Sequence, residues 1–331
     1  MPTRLRGLLA LVTVAAGLLS PPGHAAAPAP WVAYAGDEAG TYDLHLIRLD
    51  GSGHRRVTTS LGDETSPSWS PDGRRLAFWS RTAGTSDLAV LDLRTGAVRA
   101  LGVAVNPDDL HTVFPPAWSP RGDWIAFESN RHNARGSSGT ELWLIRPDGT
   151  GLRRLTHDQV LTASPAWQRD GRTLVYAQQF GESRFPELYA QRIGGARVRL
   201  TRDDWHDWEP RPSPDGRWLA WSSTRGTTPQ ATTFGIHLRW PDGRVRGVAT
   251  PTAPASAMSP SWTPDGRRLV YCWDPDGPLQ PSVGAFGGTD VRVIPPGLRP
   301  AELHVIGLDG RGDRVLVRGT GNAITPAVAP R

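Results

Sequence analysis

The 331-residue chain contains no lysine; all 37 of its basic residues are arginines. With 37 glycines, 31 prolines and much alanine, that bias points to a GC-rich coding sequence rather than to a groove for nucleic acid. The arginines recur between acids along short segments, the pattern of solvated strand edges. Nucleic-acid binding is therefore not expected. Cysteine is nearly absent as well. Cys272 stands alone, so no intramolecular disulfide can form, and its apolar surroundings suit a small buried residue better than a reactive thiol.

Catalytic signatures are also missing. There is no Gly-x-Ser-x-Gly elbow; Gly51-Ser52-Gly53 and Gly136-Ser137-Ser138-Gly139 have the wrong spacing and read as loop tips. His-Glu-x-x-His, paired-cysteine metal spacing and a phosphate loop with a lysine are absent too. The expectation is a chain with no catalytic residues, no cofactor and no resident metal.

What the chain does have is a repeat. Ser68-Trp69-Ser70-Pro71-Asp72-Gly73 returns as Ala117-Trp118-Ser119-Pro120-Arg121-Gly122, Ala166-Trp167-Gln168-Arg169-Asp170-Gly171, Arg211-Pro212-Ser213-Pro214-Asp215-Gly216 and Ser261-Trp262-Thr263-Pro264-Asp265-Gly266. The prolines that open these phrases, Pro67, Pro115, Pro165, Pro210 and Pro260, are spaced by 48, 50, 45 and 50 residues. A period of about 40 to 50 residues filled with short strands is that of propeller blades. Within each repeat, Pro presets φ and Gly takes a positive φ, so Ser-Pro-Asp-Gly closes a tight turn from strand A to strand B. Strand B follows as Arg75-Leu76-Ala77-Phe78-Trp79 and its counterparts. Strand C opens on Asp43-Leu44, Asp87-Leu88, Glu141-Leu142, Glu187-Leu188 or Glu302-Leu303, and strand D ends in pieces such as Arg153-Arg154-Leu155-Thr156.

The ends complete the ring. Trp31-Val32-Ala33-Tyr34 matches a strand B with no strand A before it, and Thr325-Pro326-Ala327-Val328 matches a strand A with nothing after it. Pairing the two removes two exposed sheet edges. The expected fold is all-β: a six-bladed propeller of four-stranded blades spanning residues 28–331, with its first blade shared between the two ends.

The stretch Pro-Ser-Trp-Ser-Pro-Asp-Gly-Arg-Arg-Leu-Ala-Phe at residues 67–78 resembles the PD40, or WD40-like, repeat of TolB propellers. The same repeat occurs in the gating propellers of tricorn-like and prolyl-oligopeptidase-like peptidases, whose nucleophile lies in a separate domain for which no residues remain here. The resemblance covers nearly all of the chain after the leader and implies envelope-associated protein interaction. Three features depart from it: Pro212 replaces Trp, Gln168-Arg169 replaces Ser-Pro, and the small domain that precedes the TolB propeller has no counterpart.

Residues 1–27 read as a secretory signal peptide cleaved near Ala25 or Ala27: two arginines, an apolar run over 7–19 too short to span a bilayer comfortably, then a Pro-Pro-Gly break and alanines. Its removal takes Arg4 and Arg6 from the formal charge of +5, leaving +3. No cysteine stands at the cleavage region, so no lipid anchor is expected there, and the mature chain has no transmembrane segment. A secreted, periplasmic or cell-envelope monomer is the result.

The site expectation rests on register. Four residues before each strand A proline stand Asn322, Asp63, His111, Leu161, His206 and Ser256. Asp63, His111 and His206 either form a polar ring at the channel mouth or are separately hydrated loop residues. Trp205 and Trp208 flank His206 in the acidic segment 203–209 and serve either as interface anchors or as packing between blades 4 and 5. Irregular connections, including a long insertion at residues 274–301, fall on the same side, whereas the opposite side carries only short turns. A protein, peptide or envelope component bound there through Asp63, His111, Trp205, His206, Trp208 and Asn322 is the leading expectation. A hydrolase or lyase with a metal at His111 and His206 is the alternative.

Overall fold

The computed structural model describes residues 28–37, 41–60, 62–82, 85–103, 114–131, 139–179, 185–226, 233–277, 299–318 and 322–330. These form 24 strands in six four-stranded antiparallel sheets. Each sheet is one blade, read A to D from the axis outward. Blade 2 comprises Asp63–Trp69, Arg75–Thr82, Thr85–Asp92 and Val98–Ala100. Blade 3 comprises Ala117–Trp118, Ile125–Ser129, Glu141–Ile145 and Arg153–Arg154. Blade 4 is built from Thr162–Trp167, Thr173–Gln178, Glu187–Arg192 and Arg197–Arg199. Blade 5 holds Asp207–Pro212, Leu219–Ser223, Gly235–Arg239 and Val245–Ala249. Blade 6 holds Ser256–Trp262, Arg268–Asp274, Glu302–Gly307 and Arg314–Val317.

Blade 1 closes the ring as expected. The C-terminal strand Ala323–Val328 pairs with Trp31–Gly36, which continues into Asp43–Arg48 and Arg55–Arg56. Val32 faces Val328, Gly36 faces Ala323, and the Ala329 N–H donates to Trp31 O at 2.7 Å.

The repeated turn owes its shape to backbone chemistry. In blade 2 the Gly73 N–H donates to Ser70 O at 2.9 Å, Gly73 has φ +66°, and Ser70 Oγ meets Asp72 Oδ1 at 2.5 Å. Blade 4 lacks Ser-Pro but keeps the turn: Gly171 donates to Gln168 O at 3.0 Å with φ +62°, while Asp170 accepts from the N–H groups of Arg172 and Thr173. The glycine is what the turn requires, and the proline is replaceable.

Successive residues of a strand face opposite gaps. Leu76 and Phe78 pack against blade 1, whereas Ala77 and Trp79 pack against blade 3, where Trp79 meets the edge of Phe127 at 6.0 Å. One apolar cluster fills each of the six gaps among the described residues. Cys272 belongs to the cluster between blades 6 and 1, where burial pushes its thiol pKa up and keeps it protonated. The motif tryptophans also hold blade to blade through Nε1: Trp69 donates to Ala327 O, Trp118 to Ser68 O, Trp167 to Ala117 O and Trp262 to Arg211 O, at 2.8–3.1 Å. Pro212 leaves blade 5 without its copy of this bond.

Each strand A except that of blade 3 bends at a bulge placed just before its proline. Ser66, Ser164, Glu209, Ser259 and Thr325 all lie at φ between 49° and 57°, a left-handed conformation uncommon for residues other than glycine. Carboxylates secure two of these bulges from neighbouring strands: Glu128 accepts the Ser164 N–H at 2.9 Å, and Glu209 accepts the Ser259 N–H at 2.7 Å.

Candidate functional site

With four antiparallel strands per blade, the B-to-C and D-to-A connections emerge at one end of the ring and the tight turns at the other. At the irregular end, the junction of blades 4 and 5 carries a connected polar network. It begins with a device that blades 1, 3 and 4 share. The acid opening strand C pairs with an arginine of strand D, and a threonine two residues beyond that arginine joins them. In blade 1, Arg56 meets Asp43 at 2.5 Å, and Thr58 Oγ1 takes the Leu44 N–H and donates to Asp43. In blade 3, Arg154 meets Glu141 at 2.7 Å and the Thr156 hydroxyl donates to the same carboxylate. In blade 4, Arg199 meets Glu187 at 2.6 Å and Thr201 Oγ1 takes the Leu188 N–H at 2.9 Å. The acids are buried, and the bidding of buried charges for partners makes such latches costly to break one-sidedly.

The segment joining blade 4 to blade 5 is fastened to this latch. The Asp203 N–H donates to Glu187 Oε1 at 3.0 Å, and Arg225 pairs with the Asp203 carboxylate. Asp207, at 0% exposure, anchors the other end: its N–H donates to Pro186 O, and its Oδ1 accepts from Trp221 Nε1 at 2.9 Å and Ser223 Oγ at 2.6 Å. Its Oδ2 is buried and makes no close hydrogen bond among the described residues, with the Thr201 hydroxyl near the carboxylate. Burial pushes the Asp207 pKa up to about 7, with the nearby Asp203 charge adding to the rise. Glu187, Asp203 and Asp207 each place one carboxylate oxygen within 4.8 Å of the others, the one group of three such ligands among the described residues. Two of the three are already paired with arginines, and a proton on Asp207 relieves the third.

The register Asn322, Asp63, His111, Leu161, His206 and Ser256 is distributed around the ring rather than gathered at one point. Asp63 Oδ1 accepts the Tyr42 N–H at 3.0 Å, Asn322 Oδ1 accepts the Ala301 N–H at 3.0 Å, and Ser256 Oγ accepts the Phe234 N–H at 3.0 Å. In all three, the donor immediately precedes strand C of the neighbouring blade. These side chains staple adjacent blades, and Asn322 also donates to Asp37. His206 lies at the junction described above; its ring meets the Phe185 ring at 4.8 Å, its Nδ1 is buried without a partner among the described residues, and burial lowers its pKa. Trp205 is partly exposed. Trp208 is 6% exposed and stacks on Phe114 at 5.4 Å within the cluster between blades 4 and 5. Of its two expected roles, the packing one matches this position. His111 and most of the 274–301 insertion lie outside the described residues.

Next to this junction is a cavity of about 460 Å³ in blade 5, walled by Arg225, Thr233, His237, Arg246 and Thr250 among others. Sequence reasoning passed over it. The signal was available: five blades carry an acid just before the first aliphatic residue of strand C, and blade 5 has Gly235 there.

Fold and repeats together define a TolB-like six-bladed β-propeller. The "Protein TolB homolog" of Chlorobium luteolum is 35% identical to this chain over 175 residues, covering 51% of the chain and 35% of that protein. The "Tol-Pal system protein TolB" of Anaeromyxobacter dehalogenans is 32% identical over 128 residues, covering 39% of the chain and 27% of that protein. The matches thus span about a third of each relative's length. The crystal structure of TolB from Acinetobacter baumannii superposes with a TM-score of 0.70 at 21% identity, over 91% of this chain and 67% of that one, a likeness of fold. No family model matches the chain.

Proposed function

We propose that the chain is an exported, envelope-associated binding propeller that captures a protein or peptide through its irregular end. The observation carrying this reading is the similarity in sequence to proteins named TolB, one of them named as a Tol-Pal system component. Export rests on the leader expected over residues 1–27, and the binding unit is a single copy of the chain. Within the irregular end, Trp205 and His206 form the contact surface at the junction of blades 4 and 5. Trp208 supports it from beneath, Asp63 and Asn322 staple the blade junctions on the far side of the ring, and His111 is a further contact expected from its register.

Photo-crosslinking in the source cells tests this reading. A photoreactive amino acid at position 205 is expected to capture a defined envelope protein, whereas the same residue at positions 121 and 244, in the tight turns of the opposite end, is not. Adducts confined to positions 121 and 244, or a chain retained in the cytoplasm, would refute it.

A further inference from the structure

Strand C carries an acid just before its first buried aliphatic residue in every blade but blade 5: Asp43, Asp87, Glu141, Glu187 and Glu302 have Gly235 as their counterpart. It has also lost the arginine. In blades 1, 3 and 4 the latch arginine stands opposite the residue two beyond the acid, as Arg56 opposite His45, Arg154 opposite Trp143 and Arg199 opposite Tyr189. In blade 5 that pair is His237 and Gly247. Both halves of the latch are therefore glycine, and both glycines line the cavity of about 460 Å³. That volume is within the range of small-ligand sites.

The threonine of the latch remains. The strand D register slips by one residue between the partners of Ile236 and His237, which brings Thr250 to the place that Thr58 and Thr156 hold beside their acids, and Thr250 lines the cavity. The wall also includes Arg225, Arg246, Thr233 and Thr252 and has no carboxylate. Arg225 is only partly engaged: its terminal nitrogen pairs with Asp203, but its Nε is buried with no hydrogen-bond partner among the described residues. A buried guanidinium N–H without an acceptor is a costly vacancy. His237 donates from Nδ1 to Gly235 O at 3.3 Å; burial first, with Arg225 contributing, lowers its pKa to about 4, so the imidazole is neutral.

We propose that this cavity receives a carboxylate of the bound protein, which takes the place of the acid that blade 5 lacks, accepting from Arg225 and Thr250. Arg225 and Thr250 both line the cavity where the neighbouring blades hold an Asp or Glu, and a guanidinium and a hydroxyl are donors that a carboxylate accepts from. The cavity borders the B-to-C connection at Arg225 and Gly226 and the D-to-A connection at Thr250, Pro251 and Thr252, so it lies at the irregular end of the ring. The inference deepens the protein-binding reading and rests on it.

Rebuilding the acid from Gly235 is a poor test, because a Cβ there would lie 2.9 Å from Ala249 O. Removing the donors is better. The purified full chain would be titrated with acetyl-Ala-Glu-Ala-amide, with acetyl-Ala-Ala-Ala bearing a free C-terminal carboxylate, with the neutral acetyl-Ala-Gln-Ala-amide and with inorganic phosphate. Amide chemical shifts of blade 5 provide the readout, to about 10 mM, a range that registers dissociation constants of ~1 mM. Saturable binding of one or both carboxylate peptides is expected, their ratio telling an acidic side chain from a chain terminus, and the neutral peptide should not bind. Arg225→Gln and, separately, Thr250→Val should each weaken binding at least several-fold while the melting curve stays cooperative. Thr250→Val keeps the test open should loss of the Asp203 partner unfold Arg225→Gln. No saturable carboxylate binding, phosphate binding as tightly as either peptide, or binding unchanged in folded Arg225→Gln or Thr250→Val would overturn the proposal. Because no partner protein is used, these outcomes are separate from the crosslinking result.

Discussion

Replacing Asp207 by asparagine should stabilise the protein above neutral pH. Asp207 is fully buried, and its Oδ1 already accepts from Trp221 and Ser223, a role that an amide oxygen repeats. Burial raises its pKa from 3.8 to about 7, so the folded protein keeps the proton over a range in which the unfolded chain has lost it. The stability associated with that proton is whole below about pH 4 and disappears as pH rises through about 7. At 1.36 kcal/mol for each step of one in pKa, the full difference comes to about 4 kcal/mol. Asparagine carries no charge at any of these pH values and escapes the loss. Urea unfolding followed by tryptophan fluorescence, at intervals from pH 4 to 8.5, should show Asp207→Asn ahead of the wild type by about 2 to 4 kcal/mol at pH 8, with the two curves converging toward pH 4. Other carboxylates titrate alike in both proteins and cancel in the difference. A variant less stable than the wild type at pH 8 would mean that the charge on Asp207 is needed, and the reasoning from burial would fail.

Removing residues 323–331 deletes strand A of blade 1 together with the Ala327 acceptor of Trp69; calorimetry should show a broadened, lower transition and reduced solubility, and an unchanged melt would refute closure as a source of stability. Trp208→Ala should cost about 3 to 5 kcal/mol, because the ring fills the gap between blades 4 and 5. Trp205→Ala, at a partly exposed position, should cost less than about 1 kcal/mol in the same unfolding experiment, and equal costs would contradict the placement of the two rings.

The repeat made the architecture legible because each blade writes its own turn. Pro-Asp-Gly and the alternating strand B need only local rules, and the two half-matches at the ends specify closure. The acid–arginine–threonine latch was harder to see, although its parts stood in the sequence as Glu141-Leu142 and Arg154-Leu155-Thr156. Joining them requires the cross-strand register that sets Arg154 opposite Trp143, and a slip of one residue would point it to the other face. The bulges were hidden for a related reason. A residue before proline is expected to be extended, yet Ser66, Ser164 and Ser259 sit at positive φ, so counting back from each proline along a regular strand misjudges which side chains share a face. That count found Asp63, Asn322 and Ser256 in equivalent places, but their common task is to cap the neighbouring blade. Trp208 could not be assigned from sequence because its stacking partner, Phe114, lies in another blade's approach segment. The gap in blade 5 is the reverse case: Gly235 was readable all along as a missing acid, but only the latch explains what its absence opens.

The claim most exposed to experiment is that the irregular end of the ring, at the junction of blades 4 and 5, is where a partner binds. Hydrogen exchange of the free chain and of its complex with the crosslinked partner measures this directly. Slowed exchange is expected at residues 203–206, 225–226 and 250–252, with residues 71–73, 214–216 and 264–266 in the tight turns of the opposite end unchanged. Protection confined to those turns, with the junction exchanging as in the free chain, would contradict it.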